Sequence, residues 1–152
     1  MEDSLIEVNL QKYLPDLIAG VLQSYRLDSV NVVSNIDEIW IHSDKAITLG
    51  LITNELTTNA CKYAFKNNTQ PVLFIDCTYS SGQIAFSFRD NGPGFVPTSE
   101  KASFGLGLIE MLTDQLAGIS KFSFRSGCAF DLTFSASIKR DNSDSRLKTQ
   151  LA

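Results

Sequence analysis

Apolar positions along the 152-residue chain follow two periods, and the change from one to the other sketches the fold. Residues 9–24, NLQKYLPDLIAGVLQS, place Leu10, Tyr13, Leu14, Leu17, Ile18 and Leu22 on one side of a helix. Pro15 is best housed in a first turn, so this helix is expected to begin late in the segment. Val30–Val33 and Glu38–His42 read as two short strands joined by the turn-like Ser34-Asn35-Ile36-Asp37. The longest helical pattern then runs from Ser43 to Phe65, capped at Ser43 or Asp44 and free of proline. Leu49, Ile52, Leu56, Ala60 and Tyr63 form its core-facing stripe. Polar residues Lys66–Gln70 close it and lead to Pro71.

Beyond Pro71 the period falls to two. Pro71–Tyr79 and Gln83–Asp90 are strands linked by a glycine-containing turn, and Ile84, Phe86 and Phe88 alternate along the second. Asn91–Gly105 is irregular and rich in Gly, Pro, Ser and Thr; a loop this long inside a compact domain is more often functional than idle. Helical spacing resumes at Leu106–Leu116 and ends at Gly118. Lys121–Arg125 and Ala129–Ile138 make a last hairpin around Ser126-Gly127-Cys128, with Phe130, Leu132, Phe134, Ala136 and Ile138 facing the core. The pattern predicts an α+β fold: a two-layer sandwich in which a mixed, mostly antiparallel sheet of about five strands carries about three helices on one face. Residues 9–138 form the domain, 1–8 an N-terminal extension, and the polar 139–152 a disordered tail.

Composition narrows the function classes. At 43% hydrophobic and 20% charged, the chain has an ordinary globular balance and enough length for one core. Its formal net charge of −4 gives no support to nucleic-acid binding or to contact with an anionic membrane. No apolar run approaches the ~20 residues needed to span a bilayer, and the first residues lack the basic-then-apolar layout of a signal peptide. A soluble, cytoplasmic domain is expected, compatible with a longer, membrane-anchored parent. The three cysteines show no CxxC spacing and His42 is the sole histidine, so reduced, buried thiols are expected rather than a Cys/His metal site.

The long helix also carries a second stripe of Thr48, Glu55, Asn59 and Lys62. Spacings of four and three let Glu55, Asn59 and Lys62 reach one small volume. A carboxylate, an amide oxygen and an ammonium suit a magnesium–phosphate site. On this helix alone a solvated face with a favourable Glu/Lys pattern is the stronger reading. Two glycine-bearing segments alter the balance: Asp90-Asn91-Gly92-Pro93-Gly94-Phe95 after a strand, and Gly105-Leu106-Gly107-Leu108 at an expected helix start. Glycines permit close backbone approach, and a helix N-terminus offers N–H groups to phosphate. Each segment taken singly is equally a tight turn or a closely packed helix entry. A dinucleotide fingerprint is excluded, because a loop precedes Gly105-x-Gly107 and no third glycine follows.

Taken together the segments resemble sensor histidine kinases. Asn54-Glu55-Leu56-Thr57-Thr58-Asn59-Ala60-Cys61-Lys62-Tyr63-Ala64-Phe65 resembles their N box, Asp90-Asn91-Gly92-Pro93-Gly94 their first glycine box, and Phe104-Gly105-Leu106-Gly107-Leu108 the second, in matching order and spacing. The resemblance spans roughly residues 9–138 and looks most like the subgroup whose N box keeps a glutamate. It implies a Bergerat ATP-binding fold, shared with gyrase B, MutL proteins and anti-sigma-factor kinases.

That resemblance also implies roles. Asn59 would ligate Mg²⁺ between the phosphates of ATP, Glu55 would act as, or position, the general base, Lys62 would contact phosphate and Tyr63 would line the pocket. Asp90 would accept the adenine amino hydrogen, with Gly92 and Gly94 turning beneath the base. Gly105, Leu106, Gly107 and Leu108 would cradle phosphates, and 95–104 would form the lid. Two departures stand out: the lid is short, lacking a separate phenylalanine motif, and Cys128 follows Gly127 where the family usually has Thr. The implied activity is that of a histidine kinase catalytic domain. It would donate the γ-phosphate of Mg·ATP to a histidine on a separate dimerisation domain, with a response regulator downstream. An ATP-dependent interaction module and an anti-sigma-type serine kinase are the alternatives. His42 lies in an expected strand and is read as structural; Trp40 and the phenylalanine-rich strands are read as core.

Overall fold

The computed structural model describes residues 6–93 and 100–138, without the side chains of 100–103. The expected tail at 139–152 and part of the expected lid lie outside the described residues. In chain order the elements are β1 (Glu7–Asn9), α1 (Leu10–Ser24), β2 (Asn31–Ile36), β3 (Trp40–His42), α2 (Ser43–Asn59), a π-helical segment (Ala60–Ala64), β4 (Val72–Ser80), β5 (Gln83–Asp90), α3 (Glu100–Gln115), β6 (Ile119–Ser123) and β7 (Ala129–Ser135).

The main sheet has the order β2-β4-β5-β7-β6, with β2 parallel to β4 and every other pairing antiparallel. This is the α+β, mixed five-stranded architecture expected. Period-two alternation puts Leu73, Ile75 and Cys77, then Ile84, Phe86 and Phe88, then Phe130, Leu132 and Phe134 on the buried face. Register aligns them in rows across the sheet, such as Ile75–Phe88–Phe130–Phe122. The opposite face of β5 and β7 is largely exposed. Helix α1 buries Leu10, Leu14, Ile18 and Leu22, the i, i+4 stripe expected. Helix α2 buries a wider arc that includes Thr53 and Thr57. Their hydroxyls donate to the carbonyls four residues back, at 2.9 Å to Leu49 and 2.7 Å to Thr53, so burial leaves neither unpaired.

Several expectations are corrected. The helix α1 begins at Leu10, capped by Asn9 Oδ1 accepting from the Gln11 N–H at 3.0 Å, so Pro15 sits in the second turn rather than the first. The two short strands are not partners: β2 joins the main sheet, while β3 pairs with β1 in a two-stranded sheet. Ser34, Asn35 and Ile36, expected in the turn between them, lie inside β2 and pair with β4, and β1 is too short to show a period. Trp40 is only half-buried, and Ile39 and Ile41 supply the core contacts instead. Helix α3 starts at Glu100, inside the stretch expected to be irregular.

The end of α3 also differs from expectation in detail. Ala117, with φ of 53°, takes the left-handed position, and the Gly118 N–H donates to the Thr113 carbonyl at 3.0 Å. Gly118 is needed for packing, since a Cβ there would stand 2.8 Å from Leu132 Cδ1 and 2.9 Å from the Thr133 carbonyl oxygen. A left-handed alanine costs ~1–2 kcal/mol relative to glycine. Ala117→Gly is therefore expected to stabilise the domain by about 1 kcal/mol, read as a Tm rise of about 2–4 °C in thermal unfolding.

Candidate functional site

Strand β5 delivers the first component. Ile84, Phe86 and Phe88 point into the core, and the next residue on that face is Asp90, 8% exposed. The carboxylate thus ends an apolar row. Its Oδ1 accepts from the Gly92 N–H at 3.0 Å and from the Cys128 N–H at 3.1 Å. Burial pushes the Asp90 carboxyl above its ordinary pKa, and the two hydrogen bonds oppose that rise. Gly127, with φ of 106°, lies directly against Asp90, and any side chain there would strike the Asp90 backbone. At Cys128 the backbone N–H is what engages Asp90, a contact that a Cys-for-Thr exchange leaves in place. The thiol itself is pushed up to about 12, first by burial and then by the neighbouring Asp90 charge.

Helix α2 delivers the second component. Glu55 is half-buried, and Asn59, 9% exposed, is its last residue. The helix then widens into the π segment, marked by the Phe65 N–H donating to the Ala60 carbonyl at 2.9 Å, five residues back. Lys62 is exposed and Tyr63 half-buried on this segment. The wider turn rotates Lys62 and Tyr63 away from the positions that an uninterrupted α-helix would give them relative to Asn59.

Two glycines bring the segments together. A Cβ at Gly92 would lie 2.5 Å from Ala64 Cα and Cβ, so the turn after β5 rests on the π segment. A Cβ at Gly105 would lie 2.7 Å from Glu55 Oε2, so α3 crosses α2 at that carboxylate. Gly105 sits in the second turn of α3, not at its start; Gly107 is exposed with nothing within 4 Å of a Cβ, and Leu106 and Leu108 are half-buried. Gly94 lies outside the described residues. His42, the sole histidine, immediately precedes α2, about 20 Å along the axis from Glu55. No described helix is long and apolar enough to cross a membrane, and the three thiols are free and buried, as expected.

Glu55 and Asn59 on α2, Asp90 at the end of β5 and Gly105 on α3 are the described members of the candidate site. Residues 29–121 match the family model of the histidine kinase-like ATPase domain, and the chain belongs to that family. Among solved structures, the histidine kinase domain of the Erythrobacter litoralis EL346 blue-light activated histidine kinase matches with a TM-score of 0.74 and 19% identity, over 84% of this chain and 61% of that one. The mycobacterial sensor histidine kinase MprB matches at 0.69 and 12%, over 88% and 99% of the two chains. The catalytic domain of histidine kinase ThkA matches at 0.69 and 14%, over 87% and 95%. At these identities the likeness is one of fold. The chain spans 61% of the first matched EL346 structure and 44% of a second. No curated protein matches it.

Two outcomes are expected from this geometry. Gly92→Ala must push Ala64 backbone aside and should cost about 1–3 kcal/mol, whereas Gly107→Ala, open in mid-helix, should raise stability by up to about 1 kcal/mol; denaturant melts of both variants check the contrast. The Asp90 carboxyl should titrate above the ordinary carboxylate range in a ¹³C NMR titration. Because its folded pKa exceeds the unfolded one, the ionised group opposes folding above the folded pKa, and this opposition fades as pH falls through it. Ligand-free Asp90→Asn should accordingly match or exceed wild-type stability at pH 7, with the difference closing in acid.

Proposed function

We propose that this chain is the ATP-binding catalytic domain of a protein histidine kinase, with Mg·ATP lying across the N-box helix, the Asp90 turn and α3. The observation that carries the reading is the convergence of those three segments on one another through Gly92 against Ala64 and Gly105 against Glu55. Asp90, already bonded at Oδ1, would accept the adenine amino hydrogen, a polarity that guanine lacks. Lys62 and Tyr63 would approach the nucleotide from the π segment. Of the second glycine segment, Gly105 would lie beside the phosphates with Glu55, while Leu106, Gly107 and Leu108, each about 100° further round α3, would not all share that face; Gly92 and Gly94 would lie beneath the base.

The donor set suits magnesium. Asn59 offers one amide oxygen and Glu55 lies one turn away, and Mg²⁺ characteristically takes one or two protein oxygens plus phosphates and water. Mg·ATP supplies a transferable phosphoryl group with part of its charge neutralised. Glu55 would assist proton removal from the accepting imidazole. That imidazole would come from a dimerisation domain of the same kinase, and the phosphoryl group would pass on to a response regulator. A cytoplasmic location follows from this reading.

Thermal unfolding with a Mg-bound non-hydrolysable ATP analogue tests binding. At 100 times Kd the ligand should add about 2.7 kcal/mol, a Tm rise of about 5–11 °C, sharply reduced in Asp90→Asn. Transfer of labelled phosphate from ATP to the isolated dimerisation domain tests the chemistry. Glu55→Gln should lower transfer by about 10²–10⁴-fold while keeping the ligand-induced shift. Ligand binding without any transfer to a verified partner domain would defeat the kinase reading. Acid-stable phosphate on the partner would point to serine.

A further inference from the structure

Asn91 stands between the two site-forming residues Asp90 and Gly92, yet its own side chain is bonded into the loop that follows the π segment. Its Oδ1 accepts from the Val72 N–H at 2.9 Å and from Asn68 Nδ2 at 3.0 Å, and its Nδ2 donates to the Gln70 carbonyl at 2.8 Å. The Asn91 N–H adds a bond to the Val72 carbonyl at 3.2 Å. Asn68 continues the chain of contacts. Its Nδ2 reaches the Ala64 carbonyl at 3.4 Å, and its Oδ1 accepts from the Gln70 N–H at 3.0 Å. Asn68 and Asn91 also line an open polar cleft of about 430 Å³, together with Lys66 and Asn67.

Ala64 is the residue on which Gly92 rests, and the Gly92 N–H is one of the two donors to Asp90. We propose that Asn91 is a positioning residue for nucleotide recognition: with Asn68 it clamps the π segment to the end of β5, and so aims the Asp90 carboxylate. The chemistry requires an amide. Only a carboxamide accepts from two donors at one end and donates to a carbonyl at the other. Aspartate keeps the acceptor bonds but turns an anion toward the Gln70 carbonyl, and alanine loses all three. Asn91 is exposed, so its replacement removes the clamp without opening the core. The inference rests on the nucleotide-binding reading given above.

The experiment compares wild type, Asn91→Ala, Asn91→Asp and Asn68→Ala in two measurements. One is calorimetric titration with the Mg-bound non-hydrolysable ATP analogue, repeated in an Asp90→Ala background. The other is ¹³C titration of the Asp90 carboxyl without ligand. Asn91→Ala should weaken binding about tenfold and raise the Asp90 midpoint, as weakening of the Gly92 bond requires; Asn91→Asp should rescue part of both. In the Asp90→Ala background Asn91→Ala should have no further effect. Unchanged affinity, an unmoved midpoint, or an equal loss in the Asp90→Ala background overturns the proposal. Should Asn91→Ala fail to fold, Asn91→Asp and Asn68→Ala carry the same comparison. A moved midpoint in a protein whose wild type binds no nucleotide would retain the clamp and defeat the nucleotide reading.

Discussion

A carboxylate at the buried end of an apolar strand row is costly unless its oxygens find donors. Meeting that requirement at Asp90 dictates much of the surrounding structure. Both donors to Oδ1 are backbone N–H groups, from Gly92 and Cys128, and the turns that present them run hard against their neighbours. Hence Gly127 must lie against Asp90 and Gly92 against Ala64. The small side chain of Ala64 is then part of the same requirement, because a larger one would lift the Gly92 turn from the helix. The acceptor, its donors and the join between strand and helix form one dependent set.

Helix α2 reconciles two demands on a single element. One arc joins the core of the domain, beside α1 and α3, and the adjoining arc carries Glu55 and Asn59. Threonines inside the buried arc satisfy their hydroxyls on the helix itself, so the core accepts polar residues without neighbours to pair them. Gly105 completes the arrangement by letting α3 approach the Glu55 carboxylate. The rigid element is thus the one carrying the groups whose placement would matter for chemistry.

What could be read from the sequence was whatever has a period or a motif. Alternation in β4, β5 and β7 and the i, i+4 stripes of α1 and α2 appear as expected, because burial on one face leaves a repeating trace. The three-residue strands β1 and β3 are too short for a period, and their pairing depends on distant chain segments. The start of α3 at Glu100 was hidden by the Gly, Pro, Ser and Thr around it, which signal a loop whether or not a helix begins there. Of the candidate site, the glycine boxes were visible, but not why each glycine is required: Gly105 answers to Glu55, and Gly92 to Ala64. The clamp built from Asn68 and Asn91 is a product of loop geometry, and asparagine in a turn gives no sign of its partner.

The π segment bears on how this chain is to be counted against others. A π turn is an α-helix with one residue more than the backbone path needs. A relative whose helix continues as plain α from the Asn59 position would present its counterparts of Lys62 and Tyr63 one place earlier. A gapless alignment through Asn59-Ala60-Cys61-Lys62-Tyr63 would then equate side chains that face different directions. In such a pairing the common coordinate is the Ala64–Gly92 contact and not the residue count, and a one-residue gap between Asn59 and Ala64 would be the true registration of the two chains.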